Sequence, residues 1–327
     1  MSRGRLLPYL AFVGLSLVWG GSFLAIKLTV QDMSPTALLL FRSASGFLAL
    51  ALIVLALRKP MFGAGWRGRL WGFAIMAVTN AVIPWVAIGW GEERISSGLA
   101  SILNSTTTLW TAVLIYWVMP SERPSLVNYV GVLVGFAGVV VLVYPELSAH
   151  GFSGDVLGAL AVVVASLSYA VNALYQRRKM RDVSIFEISL GQLAAGVVFA
   201  IPLAAPSLPY IHFRPLSLFA VIALGAIGTG VAYTLYYYVM NTLGAVRAAG
   251  VTYLVPVTAV FWGALVLHEE VSASVVAGML VILAGILLVN LRRMPRREPA
   301  GIERDSAAAS YATSSEAAPV SSRGSVR

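Results

Sequence analysis

Ten apolar stretches dominate this sequence of 327 residues, and each is long enough to cross a lipid bilayer as a helix. Their predicted ranges are 8–30, 35–57, 68–91, 95–119, 124–144, 154–177, 184–204, 216–240, 244–267 and 271–291. Because unpaired backbone groups are costly in hydrocarbon, only helices or a closed barrel can span it. The stretches are about twice as long as barrel strands and do not alternate apolar with polar residues. We therefore predict an all-α integral membrane protein with ten transmembrane helices.

The composition excludes several classes of protein. Only 11% of the residues are charged, against about 25% in soluble domains, and 58% are hydrophobic. The chain lacks the polar residues that would cover a cytosolic enzyme, a nucleic-acid binder or a disordered scaffold. It contains no cysteine, which excludes disulfides, thiolate metal sites and a cysteine nucleophile. No Walker motif is present, which excludes an ATP-driven pump on this chain. We expect neither a cofactor nor a metal ion.

The basic residues predict how the chain is oriented in the membrane. If the N-terminus lies inside, sixteen Lys and Arg residues fall in inner segments, whereas only Arg94 and Arg214 fall in outer loops. This asymmetry predicts that both termini are cytoplasmic, and it explains the net charge of +9 as a topology signal. The first stretch is too long for a cleaved signal peptide. Residues 294–327 are rich in Ser and Ala and are predicted to form a disordered cytoplasmic tail.

The chain carries an internal repeat. At a shift of 150 residues, Ser16 and Leu17 align with Ser166 and Leu167, and at a shift of 147 the second repeat ends like the first. The aligned residues at these ends are Glu122, Gly131 and Gly138 with Glu269, Gly278 and Gly285. The repeat predicts two five-helix units, residues 1–150 and 151–293. Because five is odd, the units enter the membrane with opposite orientation. Inverted repeats are typical of secondary transporters, although duplication also produces inert bundles and channels.

Several motifs resemble those of one family. The run Trp19-Gly20-Gly21-Ser22-Phe23, with Lys27, resembles the opening motif of the drug/metabolite transporter superfamily, EamA type. The ends of both repeats are also similar to the repeat ends of that family, including Pro256 before Glu269 in the second repeat. In the first repeat, Leu109 stands where the second repeat has Pro256. The resemblance covers residues 8–291. It implies a central cavity formed by spans 1, 3, 4, 6, 8 and 9, and export of small metabolites across a bacterial inner membrane. Exporters of amino acids, including aromatic ones, are the most similar branch.

Polar residues inside the apolar spans indicate where a site lies, because such side chains face the bundle interior or a wet cavity. In span 4, polar residues spaced 4, 3, 4 and 3 apart form one helix face, namely Ser97, Ser101, Asn104, Thr108 and Thr111. This face is interpreted as a cavity wall, and the alternative is interhelical packing by hydroxyl groups. The predicted substrate-binding residues are Trp19, Asn80, Ser101, Asn104, Thr108, Tyr169, Asn172, Thr229, Tyr233 and Tyr253. The predicted hinge or gating residues are Pro84, Pro256, Gly228 and Gly230.

Charged residues near the spans receive structural interpretations. Lys27 is predicted to extend to the membrane interface. Arg42 is assigned a structural role, in which it pairs with an outer carboxylate or a lipid phosphate, because span 2 is expected to be peripheral. The alternative is that Arg42 attracts substrate carboxylates. The carboxylates fall at span ends or in loops, so the sequence shows no obvious proton carrier. Transport is then either facilitated or coupled through peripheral groups.

The inverted repeat predicts a secondary transporter that works by alternating access, and the family resemblance implies export of small metabolites, chiefly amino acids including aromatic ones. A small-drug or other metabolite exporter of the same fold is the alternative. A second possibility is a membrane-embedded lipid-modifying enzyme, but such an enzyme needs clustered His, Asp or Glu, which this sequence lacks. A channel is the third possibility. The expected partners are a small-molecule substrate and the lipid bilayer, not nucleic acid. Both a monomer and a homodimer are compatible with the sequence, and the glycines of spans 5 and 10 indicate a scaffold or a dimer face.

Overall fold

A computed structural model of the chain describes residues 3–119, 124–152, 154–244, 248 and 250–290. In these ranges all regular elements are helical, which confirms the predicted all-α class. The principal helices are α1 (Arg3–Thr29), α2 (Pro35–Ala56), α3 (Trp66–Glu92), α4 (Ser97–Val118), α5 (Leu126–His150), α6 (Gly154–Lys179), α7 (Ile185–Ala204), α8 (Pro215–Leu243), α9 (Val251–Leu267) and α10 (Ala273–Asn290). The predicted tail, residues 294–327, and Glu122 lie outside the described residues.

Within the described ranges, nine helices are long and apolar enough to cross a membrane, and α9 is apolar but shorter, with 17 residues. Most predicted span boundaries agree with the helix ends to within three residues. The largest differences are in α5, which continues through Pro145 to His150, and in α9, which begins at Val251 rather than near residue 244. The chain is therefore a multi-pass membrane protein.

Helix α3 contains a wide π-turn at Val78–Val82. The N–H of Ile83 reaches back five residues to the carbonyl of Val78, which leaves the carbonyl of Thr79 without its usual helical donor. Pro84 cannot supply a replacement, because proline has no amide hydrogen. The hydroxyl of Ser168 in α6 donates to this carbonyl at 2.8 Å. Helix α8 has a similar wide turn at Ala226–Val231. Both wide turns lie next to the cavity described below.

Helix α4 is interrupted at Ser105 and Thr106, between Ser97–Asn104 and Thr107–Val118. The hydroxyls of Ser105, Thr106 and Thr107 each donate to the carbonyl three residues earlier, at 2.6, 2.6 and 2.8 Å. Such bonds compete with the α-helical pattern of the backbone. In this helix Leu109 stands where the second repeat has Pro256. The structure shows that the break forms without proline.

Helices α5 and α10 pack closely against each other through glycine. A Cβ atom added to Gly285 would overlap the backbone of Gly135 and lie 2.6 Å from the carbonyl oxygen of Gly131. At one end of this contact, Asn128 donates from Nδ2 to the carbonyl of Val289 at 2.6 Å. Small residues let membrane helices approach closely, so these glycines serve packing within the chain.

Candidate binding cavity

A cavity of about 430 Å³ lies inside the helical bundle. Its wall contains residues of α1, α3, α4, α6, α8 and α9, which are the six helices that the resemblance implied. Helices α2 and α7 also contribute, through Arg42 and through Gln192 and its neighbours. None of the described residues of α5 and α10 lines it. The cavity is therefore formed by eight helices, with α5 and α10 packed outside it.

Nine of the ten residues predicted to bind substrate meet in this wall. They are Trp19, Asn80, Ser101, Asn104, Thr108, Tyr169, Asn172, Thr229 and Tyr233. Of the predicted hinge residues, Gly228 and Pro256 also line the cavity. Their contact with a substrate stays a prediction.

The remaining predicted residues lie elsewhere. The hydroxyl of Tyr253 is not in the wall and accepts a hydrogen bond from Asn290 Nδ2 at 2.6 Å. Pro84 follows the wide turn of α3, and Gly230 packs on α2, where an added Cβ would lie 2.9 Å from that of Ala49. Of the polar face predicted for α4, Ser97 and Thr111 at its two ends also lie outside the wall, and the hydroxyl of Ser97 donates to Glu269 at 2.9 Å. The face therefore lines the cavity only near its middle.

Side-chain amides and a phenol form a hydrogen-bonded group that joins four helices. Asn80 Nδ2 donates to Gln192 Oε1 at 3.1 Å and lies 3.4 Å from the hydroxyl of Tyr233. Asn172 Nδ2 donates to Asn80 Oδ1 at 3.1 Å, and the hydroxyl of Thr79 donates to Asn172 Oδ1 at 3.3 Å. Because each member satisfies another, the group gives the cavity a polar wall of fixed geometry.

In the part of α4 that lines the cavity, two buried polar atoms have no hydrogen-bond partner among the described residues. They are Ser101 Oγ and Asn104 Oδ1, and both are buried atoms of residues that line the cavity. A buried polar atom without a partner is unfavourable, so such atoms are suited to bind a polar group of an occupant.

The structure corrects the interpretation of Arg42. Helix α2 is not peripheral at this point, because the Arg42 side chain lines the cavity and the residue is only 9% exposed. Its guanidinium carbon lies 3.9 Å from the ring centre of Trp85, and its Nε lies 3.4 Å from Thr229 Oγ1. The cavity wall therefore contains a cation stacked on an indole ring.

The rest of the wall is apolar and aromatic. The rings of Trp19 and Tyr236 lie 5.5 Å apart, and Phe23, Ile26 and Ile88 add apolar surface. The predicted binding residues did not include Tyr236, Trp85 or Gln192, which line the cavity. For Gln192 a signal existed, since it is a polar residue inside the apolar span 7, three positions after Ser189. A wall that combines apolar surface with a few polar groups suits a small amphipathic molecule.

The charged groups at the helix ends stabilise the bundle around the cavity. The Nζ of Lys27 donates to the carbonyl of Glu92, the last residue of α3, at 2.5 Å and to that of Ile95, in the connection to α4, at 2.9 Å. Its predicted extension to the membrane interface stays a prediction. Glu269 accepts from the backbone N–H groups of Ser97 and Gly98 at the start of α4, at 2.8 and 3.2 Å. Both charges lie at the helix ends that favour their sign.

Comparisons with known proteins agree with this architecture. The sequence profile described as the EamA-like transporter family matches residues 6–144 and 156–291, once in each predicted repeat. The "Uncharacterized transporter YoaV" of Bacillus subtilis (strain 168) is 23% identical over 281 residues, covering 85% of this chain and 95% of the relative. The "Uncharacterized inner membrane transporter YedA" of Escherichia coli (strain K12) is 26% identical, covering 88% and 92%.

A solved crystal structure has a similar fold, with a TM-score of 0.63 at 20% identity. The match covers 87% of this chain and 96% of that one. The two profile matches together cover most of the chain. The chain therefore belongs to the EamA-like transporter family.

Proposed function

We propose that this protein is a secondary transporter that exports small metabolites, chiefly amino acids including aromatic ones, across a bacterial inner membrane. The observation that carries the proposal is the cavity of about 430 Å³, whose wall combines aromatic rings with amides and hydroxyls. Its volume falls in the range of about 300–1,000 Å³ that is typical of small-ligand pockets. An aromatic amino acid offers an apolar ring and polar groups that match the two parts of this wall.

The proposed mechanism is alternating access between two inverted five-helix units, residues 1–150 and 151–293, with both termini cytoplasmic. The two matches to the family profile support the division into units. The wide turns of α3 and α8, the third helix of each unit, support it as well. Two equivalent units can exchange inward-open and outward-open arrangements around a site between them.

Transport by the purified protein in proteoliposomes tests this function. Vesicles loaded with unlabelled phenylalanine are expected to accumulate labelled phenylalanine by exchange, which a carrier performs and an open pore does not. Absence of flux with every amino acid would remove the substrate proposal and leave the family assignment unchanged.

Three alanine variants test the binding wall, Asn104→Ala, Asn172→Ala and Tyr233→Ala. Each removes a polar group of the cavity and is expected to lower exchange roughly tenfold, which corresponds to about 1.4 kcal/mol. Tyr144→Ala is the matched control, because Tyr144 lies on α5, is 63% exposed and is outside the cavity. Normal exchange by all three cavity variants would contradict the assignment of the site.

A further inference from the structure

We propose that Arg42 binds the carboxylate of the cargo, and that the cavity selects molecules with a carboxylate over their amide and amine analogues. This inference rests on the proposed function and narrows its cargo class. It concerns a residue of α2, the helix that the sequence had suggested to be peripheral.

The charge of the cavity wall is the first argument. Among the described residues that line it, Arg42 is the only one with an ionised side chain, and they include no Asp, Glu, Lys or His. Glu92 is buried outside this wall and acts on Arg42 electrostatically, but it forms no ion pair or hydrogen bond with it. The hydration that the guanidinium group loses on burial is therefore only partly replaced. A wall with one positive charge therefore attracts a negatively charged group into the cavity.

The surroundings of the guanidinium group are the second argument. Trp85, which is 2% exposed, covers one face of its plane, and Thr229 lies next to Nε. No described residue forms an ion pair with Arg42 or a hydrogen bond with its terminal nitrogens. The N–H groups on these nitrogens form the planar fork that binds a carboxylate through two parallel hydrogen bonds.

Helix packing keeps this group inside the cavity. An added Cβ atom on Gly225 of α8 would meet the carbonyl oxygen of Arg42 at 2.5 Å and the amide nitrogen of Gly46 at 2.9 Å. Helices α2 and α8 are therefore in close backbone contact at the level of Arg42. This contact fixes the backbone from which the guanidinium group reaches Trp85.

A second anchor in the same cavity suits an amino group. Asn104 Oδ1 is a buried acceptor without a partner among the described residues. An amino group of the cargo can donate to this oxygen, and Asn104 lines the same cavity as Arg42. Arg42 favours carboxylates as cargo, and this acceptor favours those that also carry an amino group.

The test is a binding measurement on the full chain purified in detergent, with four probes that share one aromatic ring. The probes are L-phenylalanine, L-phenylalaninamide, 3-phenylpropanoate and phenethylamine. Titration calorimetry is expected to show binding of the two carboxylates. The amide and the amine are expected to bind at least about tenfold more weakly, because they cannot accept the paired hydrogen bonds.

Variants of Arg42 assign this preference to the residue. Arg42→Gln is expected to bind L-phenylalanine no more tightly than its amide, whereas Arg42→Lys keeps the charge but loses the planar fork and is expected to be intermediate. Arg94→Gln is the matched control. Arg94 also stacks on an indole, with its guanidinium carbon 3.7 Å from the ring centre of Trp90, but it does not line the cavity. The control is expected to retain the preference.

Equal binding of acid and amide by the unmodified protein would overturn the inference, as would an unchanged preference in Arg42→Gln or binding of none of the probes. If Arg42→Gln does not fold, the inference is tested by comparing the binding of acid and amide to the unmodified protein and to Arg42→Lys. If the protein exchanges phenylalanine and the Arg42 variants do so equally well, this inference fails and the proposed function stands. If binding depends on the carboxylate but no amino acid is transported, the proposed function fails and this inference stands.

Discussion

Two buried carboxyl groups, those of Glu187 and Glu92, differ in their hydrogen-bond partners. Glu187, at the start of α7, accepts hydrogen bonds from Arg69 Nε at 2.8 Å and from the amide of Gly63 at 2.9 Å. Glu92, at the end of α3, is completely buried, and neither carboxyl oxygen has a hydrogen-bond partner among the described residues. Removing the two groups should therefore have different effects on folding.

Replacing each carboxyl group by an apolar side chain of similar size tests this difference. Glu92→Leu is expected to keep or raise the melting temperature in detergent, because it removes an unsatisfied polar group. Glu187→Leu is expected to lower the free energy of unfolding by about 1–3 kcal/mol, because it leaves Arg69 and Gly63 without their acceptor. Equal destabilisation by both variants would show that Glu92 has a stabilising partner.

At the level of helices, the interruption of α4 brings consecutive polar residues to the cavity. Ser105, Thr107 and Thr108 line the wall, while Thr106 points into the protein and its hydroxyl lies 2.8 Å from that of Ser166 in α6. Thr106 and Ser166 are both fully buried. This contact joins the break in α4 to a neighbouring helix.

A double-mutant cycle measures that contact. Thr106→Val, Ser166→Ala and the combined variant are expected to reveal a coupling energy of about 0.5–2 kcal/mol, the range of hydrogen bonds between membrane helices. Unfolding in denaturing detergent supplies the free energies. Additive effects of the two substitutions would show that the hydroxyl pair does not stabilise the interruption.

At the scale of the whole molecule, the loop charges predict the orientation of the bundle in the membrane. The connection between α2 and α3 contains Arg58 and Lys59 and is expected to be cytoplasmic. The connection between α5 and α6 contains Phe152, which is 77% exposed, and is expected to face outside. The absence of cysteine allows a single introduced thiol to report each position.

Single-cysteine labelling tests the orientation. In sealed right-side-out vesicles, Phe152→Cys is expected to react with a membrane-impermeant maleimide, whereas Ala64→Cys is expected to react only after the vesicles are opened. The cysteine-free parent protein measures background labelling. The reverse pattern, or reaction of both positions from one side, would contradict the predicted topology.

The sequence was sufficient for the helical class and for nine of the polar and aromatic residues of the cavity wall. Residues such as Ser101 and Asn104 could be identified because a polar side chain in hydrocarbon is unfavourable unless it faces the interior. The position of Arg42 could not be predicted in this way, since it depends on how α2 packs against α3 and α8. The role of Lys27 likewise depends on where another helix ends. Both are consequences of tertiary packing, which hydropathy along one helix does not contain.

The indole rings in the cavity wall have a practical consequence. Trp85 lies against Arg42, and Trp19 lies against Tyr236, whereas Trp71 and Trp117 are 77% and 67% exposed on the outside of the bundle. Indole emission depends on the polarity and the quenching groups around the ring. Occupancy can therefore be followed by intrinsic fluorescence, without a dye or a radiolabel, and the rings on the outside provide a constant optical background.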